Sequence, residues 1–365
     1  LVLMQQEVQA CLQGQQAQLP PSLPFRDFVA LSRREEARRG QEAFFGRLLG
    51  EVDEPTLPYG LEEVHRRQRH SRSSERVLPQ ALGASLQKQA QALGINSASL
   101  FHLAFALVVG RLSGREDPVF GTVVMGRMQA GAHAQQVMGP FVNTLPVRTS
   151  LRGRVQDTAL GLHALLVELM RHEQTPLSTA QRCSGVQPPR PLFSALLNCR
   201  RLSLPVGAAD ETDASATERD AALAPVTVSD YPLAVDIEDR NGRLRVCATV
   251  DMPQDPQQVC ALMAQALQSL EQALREGGQA ALSELALLPS GLQTQLLAFG
   301  QPAQALPEAL AQRFDQRGSL HGLVEAQARR TPQALALVSD DERVSYAELD
   351  ALAGRLAAQI APHLR

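Results

Sequence analysis

The chain has 365 residues, enough for two or three domains, and its 44% apolar content can build a real core. Aromatics make up only 4% and Trp is absent, so Leu, Ala and Val must fill that core; the net charge of -3 argues against nucleic acid or an anionic membrane as the main partner. No run of about 18 or more apolar residues is present to span a bilayer.

In chain order, residues 1–13 place Val2, Leu3, Met4, Val8 and Cys11-Leu12 at helical spacing. Gln15 to Pro24 reads as a polar connector. Arg33 to Leu49 reads as a helix with Phe44, Phe45, Leu48 and Leu49 on one side, and Glu51 to Arg76 as an extended, charged connection. Leu82 to Leu93 is a helix stopped by Gly94. The next helix is capped by Asn96 or Ser97, carries Leu100, Leu103, Ala104, Leu107 and Val108, and stops at Gly114. Val119 to Val124 and Phe141 to Val147 are predicted strands, and Val155 to Leu169 a helix with an apolar stripe. Leu192 to Asn198 is strand-like, and residues 207–224, small and acidic, are expected to form an exposed loop.

Leu233 to Ile237 and Leu244 to Val250 flank Asn241-Gly242, which predicts a β-hairpin because that pair supplies the positive φ angles of a tight turn. Asp255-Pro256 opens a helix through Leu274 that Gly277-Gly278 ends. Residues 282–318 read as a connector. Beyond them come a helix from Leu320, a strand over residues 334–338, a turn at Asp340-Asp341, and a helix opened by Ser345 and Glu348 as a capping box. The chain starts at Leu1 rather than Met and ends beside a helical pattern, so we expect a piece of a longer protein.

The residues that can do chemistry are few. The five cysteines, Cys11, Cys183, Cys199, Cys247 and Cys260, are scattered, which points to neither a zinc site nor a disulfide framework and suits a reducing, cytoplasmic setting. No P-loop, nucleophile elbow, dinucleotide fingerprint or H-E-x-x-H occurs, and no two of the eight histidines are adjacent. His102 and His163 sit in helical runs and read as structural. His65 and His70 lie among Arg66, Arg67, Arg69, Arg72 and Arg76, a basic cluster with three readings: nucleic acid, a solvated linker, which the net charge and the lack of interleaved aromatics favour over it, or a dock for an acidic carrier.

Asn143 and Thr144 interrupt an otherwise apolar strand. A buried, unpaired amide costs about 1–3 kcal/mol. Either the pair faces water at an edge or bonds neighbouring backbone, or it lines a channel and bonds an amide-bearing ligand, which an Asn suits because it both donates and accepts.

Several segments, in order, resemble motifs of the condensation domains of nonribosomal peptide synthetases. Phe25-Arg26-Asp27-Phe28 resembles an aromatic-x-Asp-aromatic motif. Gly139 to Arg148 resembles the Gly-x-Phe-Val-Asn-Thr motif that ends in Arg. His172-Glu173-Gln174-Thr175-Pro176-Leu177 resembles the next motif, and Pro189 to Phe193 loosely the last. Residues 320–364 resemble the opening of an adenylation domain, through Arg330-Thr331-Pro332 and Val344 to Leu349.

The resemblance implies an α/β (α+β), chloramphenicol-acetyltransferase-like fold, a mixed sheet with flanking helices. It divides the chain into residues 1–285 (condensation domain without its N-terminal catalytic part), 286–318 (linker) and 319–365 (adenylation start). In the family, two lobes enclose a tunnel and substrates arrive on phosphopantetheine arms of peptidyl carrier domains. A His-His-x-x-x-Asp signature handles the attacking amine. No such signature occurs in these residues, so no catalytic residue is assigned here and no metal. Phe141, Asn143 and Thr144 are expected at the substrate tunnel. Asp27, Arg148 and His172 are expected in structural roles. ATP and Mg would serve only the remainder of an adenylation domain. The chain alone is expected to be inactive. A carrier-docking scaffold, or an epimerisation or acyltransferase relative of the same fold, are the alternatives.

Overall fold

The computed structural model describes residues 2–19, 24–32, 35–64, 70–126, 137–201, 230–240, 242–300, 320–339 and 342–361. The chain divides into two units, Leu1–Leu292 and Gln293–Arg365. Among the described residues the elements run α1 (Val2–Leu12), α2 (Phe25–Ser32), α3 (Glu35–Leu49), β1 (Ser71–Val77), α4 (Gln80–Ala92), α5 (Ser97–Ser113), β2 (Val119–Val124) and β3 (Asn143–Arg148). They continue with α6 (Val155–Met170), α7 (Leu177–Arg182), β4 (Ala195–Arg201), β5 (Leu233–Arg240), β6 (Arg243–Asp251), α8 (Pro256–Arg275) and α9 (Ser290–Phe299). The last are α10 (Leu320–Arg330), β7 (Leu335–Val338), β8 (Arg343–Ser345) and α11 (Tyr346–Ile360).

The first unit is built on a six-stranded mixed sheet in the order β1-β6-β5-β4-β2-β3. The β5–β6 hairpin forms as its turn chemistry predicts: Gly242 takes φ 85° and its N–H donates to Asp239 Oδ1 at 2.8 Å. Strands β4 and β5 run parallel, as do β2 and β4, so their connections must cross over the sheet. Alternation along the strands gives one apolar face. Leu233, Val235 and Ile237 of β5 and Leu244, Val246, Ala248 and Val250 of β6 are all buried there. Helices α5 and α8 pack against each other over this core. α5 starts where the Asn96 side chain accepts from the Ala98 N–H, and ends at Gly114 in the left-handed region. Asp255 caps α8 in the same way through the Gln257 N–H, with Pro256 in the first turn.

The opposite sheet face is polar across β4, β5 and β6. Asn198 and Arg200 both donate to Asp236 Oδ1, at 2.7 and 2.9 Å, and Arg245 donates to Glu238 at 2.7 Å and to Glu75 at 3.1 Å. Asp236 and Glu238 are buried, and this pairing is what makes their burial tolerable.

Thr56 closes the end of the sheet at which β2 starts. It is fully buried and bridges Phe193. Its N–H donates to the Leu192 carbonyl, its carbonyl accepts from the Ser194 N–H, and its hydroxyl accepts from the Val119 N–H at 2.9 Å. One residue thus ties the start of β2 to the chain entering β4. Thr56→Val is expected to lower unfolding stability by about 1–2 kcal/mol by orphaning the buried Val119 N–H, while Thr56→Ser recovers most of it. Urea melts of the three proteins check this; equal stability of all three would show that the bond does not hold the strand.

The structure corrects parts of the sequence reading. Glu51 to Arg76 is not wholly a connection: Ser71–Val77 is edge strand β1, exposed along nearly its whole length and so without apolar alternation. The Phe25 motif is helical. The 282–318 connector contains helix α9. Residues 207–224, His65, Arg66, Arg67, Arg69, Asn241 and the 340–341 turn lie outside the described residues. Arg72 and Arg76 are exposed on β1. No single helix among the described residues is long and apolar enough to cross a membrane.

In the second unit, β7 and β8 pair antiparallel and α10 contacts α11. The predicted capping box is present: the Glu348 N–H donates to Ser345 Oγ and the Ser345 N–H donates to Glu348 Oε2 at 2.8 Å. The Ser345 N–H and then its hydroxyl, both donating to Oε2, hold the exposed Glu348 carboxyl below its ordinary range.

Candidate functional site

The site is built around β3, whose first two residues face opposite sides of the sheet. Asn143 turns toward the α6–α7 connection. Its Nδ2 donates to the carbonyls of Glu173, at 2.9 Å, and Thr175, at 2.7 Å. Its Oδ1 accepts from the Thr144 N–H at 2.9 Å. Both amide hydrogens and the amide oxygen are therefore committed within the protein. The backbone bonds that the sequence reading offered as one alternative are thus present at Asn143.

Thr144 faces the other way, beside Val123 and Gly121 of β2. Its side chain shares a hydrogen bond with the hydroxyl of Tyr231. The Tyr231 ring stacks on Phe193, with centroids 5.6 Å apart and planes 12° from parallel. Phe193 comes this close to the sheet because position 121 lacks a Cβ: one built there would meet Phe193 at 2.6 Å and Thr144 at 2.9 Å. Burial pushes the Tyr231 phenol up to about 12, against the Thr144 hydrogen bond that favours ionisation, so it stays neutral at physiological pH.

Next to this cluster is a cavity of about 520 Å³ whose lining includes Leu177 and Gln181 of α7, Leu192, Phe193 and Tyr231. Glu62, Glu63 and Arg190 also line it. Arg190 is ion-paired with Glu62 at 2.8 Å, and its carbonyl accepts from Gln181 Nε2 at 2.8 Å.

The remaining expected residues lie around β3. Phe141, 5% exposed, is wedged between Phe25, at 5.0 Å edge-on, and Phe28, at 4.5 Å. The Phe25 motif thus docks α2 onto the segment entering β3, with Phe141 packed between the two rings. Asp27's side chain lies outside the described residues. Arg148, at the far end of β3, donates to the Leu48 carbonyl at 3.1 Å and pairs with Asp117 at 3.1 Å. His172 stacks on Phe44 with centroids 4.5 Å apart, and burial lowers its pKa. Sequence reasoning missed Tyr231 and Gly121; the only local signal was a Tyr-Pro pair immediately before β5.

Behind Thr144, on the helix side of β2, His102 is buried. Its Nδ1 lies 2.7 Å from the Ala98 carbonyl, which can only accept, so Nδ1 carries the proton and Nε2 accepts from the Thr122 hydroxyl at 2.8 Å. Burial lowers its pKa to about 4. No cluster of metal-ligating side chains occurs among the described residues. The arrangement offers recognition and positioning of a neutral group.

Comparisons with known proteins bear on the fold and the family. Residues 2–297 match the family model for the condensation domain. Malpinin synthetase and malpibaldin synthetase, both of Mortierella alpina, are 38% and 36% identical over 98% of this chain. The chain spans only 4% of the length of the first and 6% of the second. Among solved structures, a four-domain nonribosomal peptide synthetase bound to AMP and glycine aligns over 91% of this chain and 26% of its own, with TM-score 0.58 and 16% identity. The X-domain from teicoplanin biosynthesis aligns over 72% of this chain and 60% of its own, with TM-score 0.55 and 19% identity. These likenesses show the shared fold, and the match across residues 2–297 shows that the chain belongs to the condensation-domain family of nonribosomal peptide synthetases.

Proposed function

We propose that this chain is the second lobe of an amide-forming condensation domain, followed by the opening of an adenylation domain, within a modular peptide synthetase. The observation that carries the reading is the family match over residues 2–297. The alignment with malpinin synthetase over 98% of the chain supports extending it past the condensation domain. The amino acids to be joined would arrive as thioesters on phosphopantetheine arms of peptidyl carrier domains, and tethering both reactants would supply much of the rate. ATP and Mg would be used by adenylation residues that are not in this sequence. Thr144 lies at the substrate channel, with Tyr231 and Phe193 beside it. Asn143, Phe141, Arg148 and His172 support it. The five cysteines are free thiols, which fits a cytoplasmic enzyme.

The test is an assay with two loaded carrier domains. The 365-residue chain alone is expected to give no amide product, because it has no His-His-x-x-x-Asp signature. The full synthetase is expected to give it, and to lose it when that signature is mutated. Product from the isolated chain would overturn the assignment of chemistry to residues outside it.

A further inference from the structure

Gly121 organises the wall that carries Thr144. With no Cβ at that position, both the Phe193 ring and the Thr144 methyl lie against the sheet there; a Cβ would meet them at 2.6 and 2.9 Å. Phe193 in turn holds the Tyr231 ring in a near-parallel stack, and the Tyr231 hydroxyl shares its hydrogen bond with Thr144. These contacts close a loop that links β2, β3 and the segments entering β4 and β5.

Thr144 is fixed within that loop at its backbone and at both side-chain branches. Its N–H donates to Asn143 Oδ1 at 2.9 Å. Its methyl lies over Gly121 and its hydroxyl meets Tyr231. Both branches sit on one Cβ, and a β-branched side chain is stiff at χ1, so neither turns without displacing the other. Tyr231 can hold its end because its ring is buried and already stacked on Phe193. Thr144 itself is half-buried, so its side chain is not sealed inside the protein. We infer that Tyr231 is a positioning residue for amide formation: acting through Thr144, it holds that hydroxyl in one orientation where the tethered reactants meet the channel wall. The inference rests on the condensation reading for the reaction it serves.

The test uses the full synthetase with two loaded carrier domains. Tyr231→Phe keeps the ring and its stack and removes only the hydroxyl. It is expected to lower kcat by about tenfold while KM for either carrier stays within about twofold. Thr144→Val is expected to lose at least as much, and adding Tyr231→Phe to it to cost nothing further. Thr144→Ser keeps a hydroxyl and is expected to restore most of the response to Tyr231→Phe. A residue that served stability alone would lower the amount of folded enzyme and leave kcat per folded molecule unchanged. In the 365-residue chain, ring-labelled tyrosine gives three NMR signals, and Tyr231→Phe identifies the one wanted. Thr144→Val is expected to move that Tyr231 signal. Far-UV circular dichroism identifies a variant that has lost its fold, and Thr144→Ala then removes the same hydroxyl. An undiminished kcat in Tyr231→Phe, a loss confined to KM, equal losses from that change with and without the Thr144 hydroxyl, or an unmoved signal in Thr144→Val would each overturn the inference. No product from the unmutated synthetase would instead sink the condensation reading, and this inference with it.

Discussion

Asn143→Ala is expected to lower the unfolding free energy by about 2–4 kcal/mol, a large share of a domain's stability. The substitution leaves the Glu173 and Thr175 carbonyls without their donor, and both residues are fully buried. It also removes the acceptor of the Thr144 N–H. Three main-chain groups lose a partner for the loss of one small amide, and buried polar groups left unmade carry the full desolvation penalty. Asn143→Asp is expected to be at least as damaging, since a carboxylate would face two carbonyl oxygens where the amide donated. The measurement is urea unfolding followed through the Tyr231 signal, so that the first unit is read directly. A change below about 0.5 kcal/mol, the range of an ordinary surface substitution, would show that the α6–α7 connection holds its place without this side chain.

The same residue shows what was legible in the sequence. An Asn-Thr pair inside an apolar strand demands partners, and that demand located the site. It did not say which partners. Neighbouring strand residues face opposite sides, so the two side chains meet different partners; that constraint was available from period-2 geometry alone. The hairpin at Gly242, the caps Asn96, Asp255 and Ser345, and the buried helix α5 were readable because each is encoded within a few residues. Strand β1 was not readable. An edge strand such as Ser71–Val77, exposed along most of its length, carries no apolar alternation, and its place in the sheet comes from pairing with the distant strand β6. Tyr231 was invisible for the same reason. Its meaning lies in Thr144 and Phe193, which only the crossover topology brings beside it.

Acid is expected to weaken this protein through His102 before it protonates most carboxylates. The native pKa is held near 4 by burial, against an unfolded value of 6.5. The native state therefore binds fewer protons than the unfolded state between those two values. The stability that neutral His102 provides is present in full above pH 6.5 and is lost as pH falls toward 4. The linked loss is on the order of 3 kcal/mol. His102→Gln has nothing to titrate at this position, so its unfolding free energy should fall less steeply over the same window, although it starts lower at pH 7. Urea melts at intervals from pH 7 to 4 give both slopes; parallel profiles would remove His102 as the cause. Charging His102 reverses the bond at Thr122 rather than breaking it, because the hydroxyl can accept from an Nε2–H. The tie between α5 and β2 is therefore kept, and the loss of stability comes from burying the charge.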